Sequence, residues 1–270
     1  MAPDDAAIGE RLGIGRTAEV YAWGQDRVVK VLRPGFPDGL GEAEAGAAAL
    51  IDMAGVAAPR FLGTTRIDGR FALIYERLTG PSMLDRLSAR PWHVGRLARE
   101  FAALHVSMHA ADGAGLPDHK GYYRRMIERG GTYLAPGQRA ASLRRLDTLP
   151  DGTAVCHGDM QPGNILVTPA GPVVIDWLTA GSGSPAADVA RTLFLLRGAA
   201  IPPVIPAVQR AVIVQLRRRF AAVYIGEYRR RGTLDEREVA QWRLPILAAR
   251  LGEEIEAERA PLLALIAREL

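Results

Sequence analysis

The chain has 270 residues, enough for one large domain or for two lobes with a core each. Hydrophobic residues at 48% and charged residues at 24% have the balance of a folded globular protein, and no run approaches the ~20 apolar residues of a membrane helix. The single cysteine, Cys156, excludes an intramolecular disulfide and a cysteine-rich zinc site, and a chain starting Met1-Ala2-Pro3-Asp4-Asp5 lacks the basic start of a secretory signal, so a cytoplasmic location is expected.

In chain order, Glu19 to Trp23 and Arg27 to Leu32 are short β-type runs on either side of the turn Gly24-Gln25-Asp26. Phe61 to Ile67 and Phe71 to Leu78 repeat the pattern around Asp68-Gly69, a hairpin signal. Between the two pairs, the Ala-, Leu- and Glu-rich stretch from Gly39 to Ala54 predicts a helix, broken near Gly55 and Pro59. After Thr79-Gly80-Pro81 the character changes, and helical periodicity takes over from Trp92 to Ala110 and through much of the region after Pro185. The division falls near Leu78, giving an N-terminal lobe of residues 1–78 and a C-terminal lobe of residues 79–270. One β interruption is predicted in the second lobe, with Ile165 to Val167 and Val173 to Ile175 flanking Thr168 to Pro172. That hairpin brings Asn164 and Asp176 together at its open end.

The formal charge of +4 and the clusters Arg217-Arg218-Arg219 and Arg229-Arg230-Arg231 raise nucleic acid as a partner. Both clusters fall in Gln209 to Arg231, where Val212, Leu216, Phe220, Val223 and Tyr224 recur at helical spacing. The arginines then belong to the solvated side of an amphipathic helix, and without interleaved aromatics no nucleic-acid partner is expected. Cys156 ends an apolar run and reads as a small buried residue.

The segment carrying most chemical information is His157-Gly158-Asp159-Met160-Gln161-Pro162-Gly163-Asn164, with Val173-Val174-Ile175-Asp176-Trp177 beyond the hairpin. An Asp, an Asn five residues on and a further Asp after an apolar strand supply the three oxygen-bearing groups of phosphoryl transfer. One carboxylate positions an attacking hydroxyl, while an amide and a second carboxylate hold a divalent cation on the phosphates.

With these motifs the chain resembles the aminoglycoside phosphotransferase and choline kinase family, small-molecule kinases with a bilobal, protein-kinase-like α+β fold, over about Gly13 to Arg191. The resemblance implies Asp159 as the catalytic base or hydroxyl-orienting group and Asn164 and Asp176 as ligands of Mg2+, while His157 shapes the loop. Gln161 stands where many protein kinases carry a phosphate-contacting lysine. On the predicted strand Arg27 to Leu32, Lys30 resembles the lysine that holds the α- and β-phosphates, with Glu44, rather than Glu42, as its ion-pair partner. Leu12 to Tyr21 resembles the nucleotide-covering turn, where Arg16, Thr17 and Ala18 offer backbone amides to phosphate. Glu76 and Leu78 resemble the hinge that reads the purine through main-chain groups, and Tyr75 falls where a bulky side chain bears on the choice between ATP and GTP. Asp188 matches a residue that braces the catalytic loop from a helix start. His105 and His109 have metal-ligand spacing but no third ligand nearby in sequence, so a helix-end role is expected.

Pro185 follows Asp176 nine positions on, too soon for the long activation segment that presents a peptide. The implied acceptor is therefore a small-molecule hydroxyl, with an aminoglycoside-type antibiotic as the leading expectation and choline, homoserine or a sugar-amine as the metabolic alternative. A nucleotide-binding pseudokinase is the non-catalytic alternative, opposed by the joint presence of Lys30, Asp159, Asn164 and Asp176. Glu253, Glu254, Glu256 and Glu258, with Asp235, Glu236 and Glu238, offer a candidate acidic wall, although Arg250 is placed to pair with Glu254 on a helix. Oligomeric state leaves no signal in the sequence.

Overall fold

The structure, a computed structural model, describes residues 8–198, 201 and 204–270; the acidic start Met1 to Asp5 lies outside them. Its first part is a five-stranded antiparallel sheet of β1 (Ile8–Ile14), β2 (Ala18–Trp23), β3 (Arg27–Leu32), β4 (Phe61–Ile67) and β5 (Arg70–Glu76), with helix α1 (Asp38–Met53) inserted between β3 and β4. Spatial order is β1-β2-β3-β5-β4, which makes β3 the central strand.

Alternation along β3 decides what each face holds. Val29 and Val31 are buried with Trp23, Ala72 and Ile74 on one side. Val28 lies with Leu73, Tyr75 and Ala48 of α1 on the other, and Lys30, paired in register with Val20 and Leu73, shares that helix-covered face. Helix and sheet approach closely at Gly41, where an added Cβ would lie 2.4 Å from the Phe71 ring. A larger residue there would have to displace the Phe71 ring or the helix. Relative to the sequence reading, β1 is an extra strand, so the Leu12 to Tyr21 segment is the end of β1, a turn and the start of β2.

The larger part begins with α2 (Met83–Ala89), α3 (Val94–His109), α4 (His119–Arg129) and α5 (Pro136–Thr148). Helix α2 is fixed by a capping box in which Ser82 and Asp85 satisfy each other's backbone N–H groups. Short strands β6 (Ala154–Cys156), β7 (Ile165–Thr168), β8 (Gly171–Val174) and β9 (Gly181–Gly183) follow, then α6 (Pro185–Gly198), α7 (Ala207–Arg231), α8 (Glu236–Leu251) and α9 (Glu256–Glu269). Strands β7 and β8 form the expected hairpin, while β6 pairs with β9 in a second two-stranded ladder that the sequence reading lacked. Gly181-Ser182-Gly183 carries no apolar alternation to announce a strand.

The core of this part runs through α3, α4, α5, α6, α7 and α8, and includes fully buried Phe101, Tyr123, Leu146, Tyr224 and Trp242. Among the described residues, no helix is long and apolar enough to cross a membrane. In the second arginine cluster of α7, Arg230 and Arg231 pair with Glu227 and Arg229 with Glu236, whereas Arg217 of the first is half-buried beside exposed Arg218 and Arg219.

Candidate active site

The ladder of β6 and β9 delivers the chain into the loop at His157, which is fully buried. Its Nε2 lies 3.1 Å from the Ile175 carbonyl and its Nδ1 accepts the Asp159 N–H at 3.1 Å, so the ring is a brace with both nitrogens engaged. Gly158 follows with φ of +76°, and an added Cβ would lie 2.7 Å from the Thr179 carbonyl and 2.9 Å from His119 Nε2. Only glycine takes both this conformation and this contact without displacement.

Beneath the loop, Asp188 in the first turn of α6 accepts the His157 N–H at 2.7 Å and the Gly158 N–H at 2.9 Å. The bracing role suggested by its position thus corresponds to two backbone hydrogen bonds. His105 and His109 also face Asp188, each with Nε2 3.2 Å from Oδ2. Both histidines lie near the end of α3, as expected, but Asp188, far away in sequence, supplies the third neighbour that their spacing lacked and completes a cluster close enough to share an ion. Two backbone N–H groups already hold that carboxylate, and tyrosine hydroxyls face the outer ring nitrogens, so hydrogen bonding accounts for the cluster without a metal. Burial alone would raise Asp188, but the imidazole hydrogen bonds hold its carboxyl well below the usual range.

Asp159 points its Oδ2 at Gln161 Nε2, 3.0 Å away, and at Asn164 Nδ2, 2.9 Å away. The same Asn164 amide also reaches the Asp159 carbonyl at 2.9 Å, which leaves Asn164 Oδ1 as the amide atom free to meet a cation. Burial pushes the Asp159 carboxyl above its ordinary range, opposed by nearby Arg191 and His157 and by both amide donors. At the hairpin's open end, the Ile175 N–H donates to the Asn164 carbonyl at 2.9 Å, so Asn164 and Asp176 stand at neighbouring strand ends as expected. Asp176 takes a left-handed φ of 68°, which turns its carboxylate away from the strand path.

Across the cleft, Lys30 Nζ lies 2.6 Å from Glu44 Oε1 and 2.7 Å from Asp176 Oδ1. Glu44 is buried on the sheet-facing side of α1 while Glu42 is exposed, and this decides between the two candidates. Burial raises the Glu44 carboxyl despite the neighbouring ammonium, and its Oε2 has no hydrogen-bond partner among the described residues. Burial by itself would lower Lys30, but Glu44 and Asp176 hold its pKa above the ordinary lysine value, so the side chain is a cation.

Arg16, Thr17, Ala18, Glu76 and Leu78 line the same cleft of about 950 Å³ as Lys30, Asp159, Asn164 and Asp176. Tyr75 lies at its inner wall with its hydroxyl donating to Glu44 Oε1 at 3.3 Å. The cleft therefore gathers the residues expected to meet the nucleotide, the cation and the acceptor hydroxyl.

On its far side are residues that the sequence reading had not placed there, among them Tyr122, Arg191, Leu195, Arg250 and Ile255. Arg191 is 2% exposed; its Nε donates to the Gly158 carbonyl at 3.1 Å and its Nη2 pairs with Glu253. Its position one turn after Asp188 was the available signal, since that spacing puts both on one face of α6. The acidic wall is only partly realised. Arg250 pairs with Glu253 and Glu258, Glu254 turns away to Arg129, and Glu256 is exposed. Arg250 does not take Glu254 because α8 ends at Leu251 and Glu254 has a φ of 57°, which breaks the helical spacing on which that pair depends.

Residues 9–223 match the model of the phosphotransferase enzyme family. A sequence search of curated proteins finds no match. Among solved structures, an aminoglycoside-3'-phosphotransferase of type VIII superposes with a TM-score of 0.61 at 23% identity, covering 87% of this chain and 90% of that one. An amicoumacin kinase in complex with AMP-PNP and Ca2+ gives a TM-score of 0.67 at 15% identity over 98% of this chain and 88% of its own. A choline/ethanolamine kinase family protein from Mesorhizobium loti gives 0.58 at 19% identity, covering 99% and 89%.

Proposed function

Because the chain belongs to the phosphotransferase enzyme family, we propose that it transfers the γ-phosphate of ATP or GTP to a hydroxyl of a small molecule. The observation that carries this reading is the convergence of Lys30, Asp159, Asn164 and Asp176 on one cleft from segments far apart in sequence. A cleft of about 950 Å³ has the size of a small-molecule site.

In this reading residues 1–78 hold the nucleotide and residues 79–270 supply the catalytic loop and the acceptor site. Glu76 and Leu78 read the base through main-chain groups, the Arg16 to Ala18 turn covers the phosphates, and Lys30, oriented by Glu44, contacts them. Asn164 Oδ1 and the Asp176 carboxylate are hard oxygen donors at neighbouring strand ends, which suits Mg2+. When bound, the cation neutralises phosphate charge. Asp159 orients the acceptor hydroxyl and accepts its proton, its carboxylate being fixed by Gln161 and Asn164.

An aminoglycoside-type antibiotic heads the acceptors to be tested. A metabolic hydroxyl compound without several cationic groups is the second reading. It is favoured by Glu253, whose charge is already shared between Arg191 and Arg250. The test is nucleotide consumption by purified protein with Mg2+, ATP or GTP and a panel of aminoglycosides, macrolides, choline and amino-sugar alcohols. Stimulation by one class identifies the acceptor; nucleotide binding without stimulation by any of them moves the weight to a pseudokinase.

A further inference from the structure

Helices α3 and α7 meet in three matched layers. The Phe101 and Phe220 rings pack edge-on at 5.3 Å, the Tyr224 hydroxyl lies 2.8 Å from His105 Nδ1, and the Tyr228 hydroxyl lies 2.6 Å from His109 Nδ1. Both polar layers have a sequence offset of 119 residues, and Phe101 with Phe220 falls in the same register. The two helices therefore run side by side in one direction, with residues one turn apart kept in step.

Each imidazole passes this register onward. A phenol that donates into Nδ1 requires the ring proton on Nε2, the nitrogen that faces Asp188 Oδ2 at 3.2 Å in both cases. Burial, assisted by the adjacent His109, lowers His105 to about 4, which keeps that ring neutral near neutral pH. The fully buried Asp188 thus receives two imidazole donors beside the two backbone donors of the catalytic loop. A slip of α7 by one turn would set Tyr224 opposite His109 and Phe220, which has no hydroxyl, opposite His105. One chain would be lost outright, so the hydroxyls select a single register.

We infer that Tyr224, Tyr228, His105 and His109 are positioning residues of the active site, through which two phenol–imidazole–carboxylate chains fix the His157-Gly158 backbone, and with it Asp159, to the register of α7. Its bearing on turnover rests on the role proposed above for Asp159; the structural coupling does not.

Hydrogen exchange on the ligand-free protein tests the coupling without a substrate. Tyr224→Phe and Tyr228→Phe keep the rings and remove the hydroxyls. Each should speed exchange of the His157 and Gly158 amides roughly tenfold relative to the Val29 and Leu73 amides of the sheet, as expected for one buried hydrogen bond. The double variant should exceed either single one. His109→Gln, which keeps a donor toward Asp188, should retain more protection than His109→Leu. With an acceptor in hand, the tyrosine variants should lower kcat and leave the nucleotide KM unchanged. Sheet-relative exchange at the wild-type rate in the double variant would overturn the proposal. If exchange accelerates as expected but Asp159→Ala turns over normally, the coupling stands and the role given to Asp159 falls.

Discussion

Lys30 Nζ and Asp176 Oδ1 are 2.7 Å apart and 146 residues distant in sequence, which ties the central strand β3 to the end of the β7–β8 hairpin. The same ammonium holds Glu44 at 2.6 Å, so one cation serves two carboxylates. The two respond differently. Burial dominates at Glu44, whose carboxyl is raised, whereas at Asp176 burial is outweighed by Lys30 and the carboxyl is lowered. Asp176 is thereby kept ionised, which the cation-binding role proposed for it requires.

Replacing Lys30 by Met should strand Glu44 in a buried setting with no counter-charge. Denaturation by urea should show a loss of ~3 kcal/mol, the scale for breaking a buried pair from one side. The double variant Lys30→Met with Glu44→Gln should lose less than the two single changes added together, because the stranded charge is gone. Additive losses would mean that Lys30 and Glu44 are not energetically coupled.

Asp159→Ala and Asp176→Ala should fail in different ways. The first should lower kcat by about a thousandfold, within the range of positioned acid–base groups, with nucleotide affinity unchanged by calorimetry. The second should weaken Mg2+–nucleotide binding about tenfold or more. Because burial raises the Asp159 carboxyl, the acid limb of kcat should lie above the ordinary aspartate value of about 3.9 and should be missing from the residual activity of Asp159→Ala. An acid limb of the same position in both proteins would assign it to another group.

How far the sequence discloses this site depends on whether neighbours in space are also neighbours in the chain. Asp159 and Asn164 lie on one loop, and the hairpin that adds Asp176 is written in local β-pattern and turn residues. Lys30 and Glu44 were legible through the family resemblance, the lysine on a strand flanked by apolar residues and the glutamate fourteen positions on in a helical run. The cluster around Asp188 was not. His105 and His109 come from α3, Tyr224 and Tyr228 from α7, and helical periodicity says which face is buried without saying against which helix. Strands β6 and β9 were missed for another reason, since three-residue strands held by their neighbours carry little pattern of their own.

Arg250 should prove a structural residue of the cleft wall. Its guanidinium pairs with Glu258 through Nε at 2.6 Å and Nη2 at 3.1 Å, and with Glu253 through Nη1. Arg250→Met leaves two largely buried carboxylates short of a partner and should cost about 3–5 kcal/mol by chemical denaturation. Glu254→Gln, at an exposed pair with Arg129, should change stability by less than 1 kcal/mol. Equal effects of the two substitutions would remove the distinction between the buried and exposed pairs.

Acid sensitivity should trace in part to His119. Burial lowers it to about 4, and neither ring nitrogen has a hydrogen-bond partner among the described residues. Its folded-state pKa is thus below its unfolded value, so between about 6.5 and 4 the unfolded chain binds a proton that the folded chain refuses. Stability must then fall as pH falls through that window, by up to ~3 kcal/mol for this histidine. Glu44 and Asp159, with raised carboxyls, act in the opposite sense, so the informative quantity is the difference from a variant. His119→Phe keeps an aromatic ring beside Gly158 without a titrating group. Unfolding free energies measured from pH 7 to pH 4.5 should fall less steeply for His119→Phe than for the wild type, by one proton in the slope. Parallel curves would show that His119 is protonated in the folded protein or already accessible to solvent.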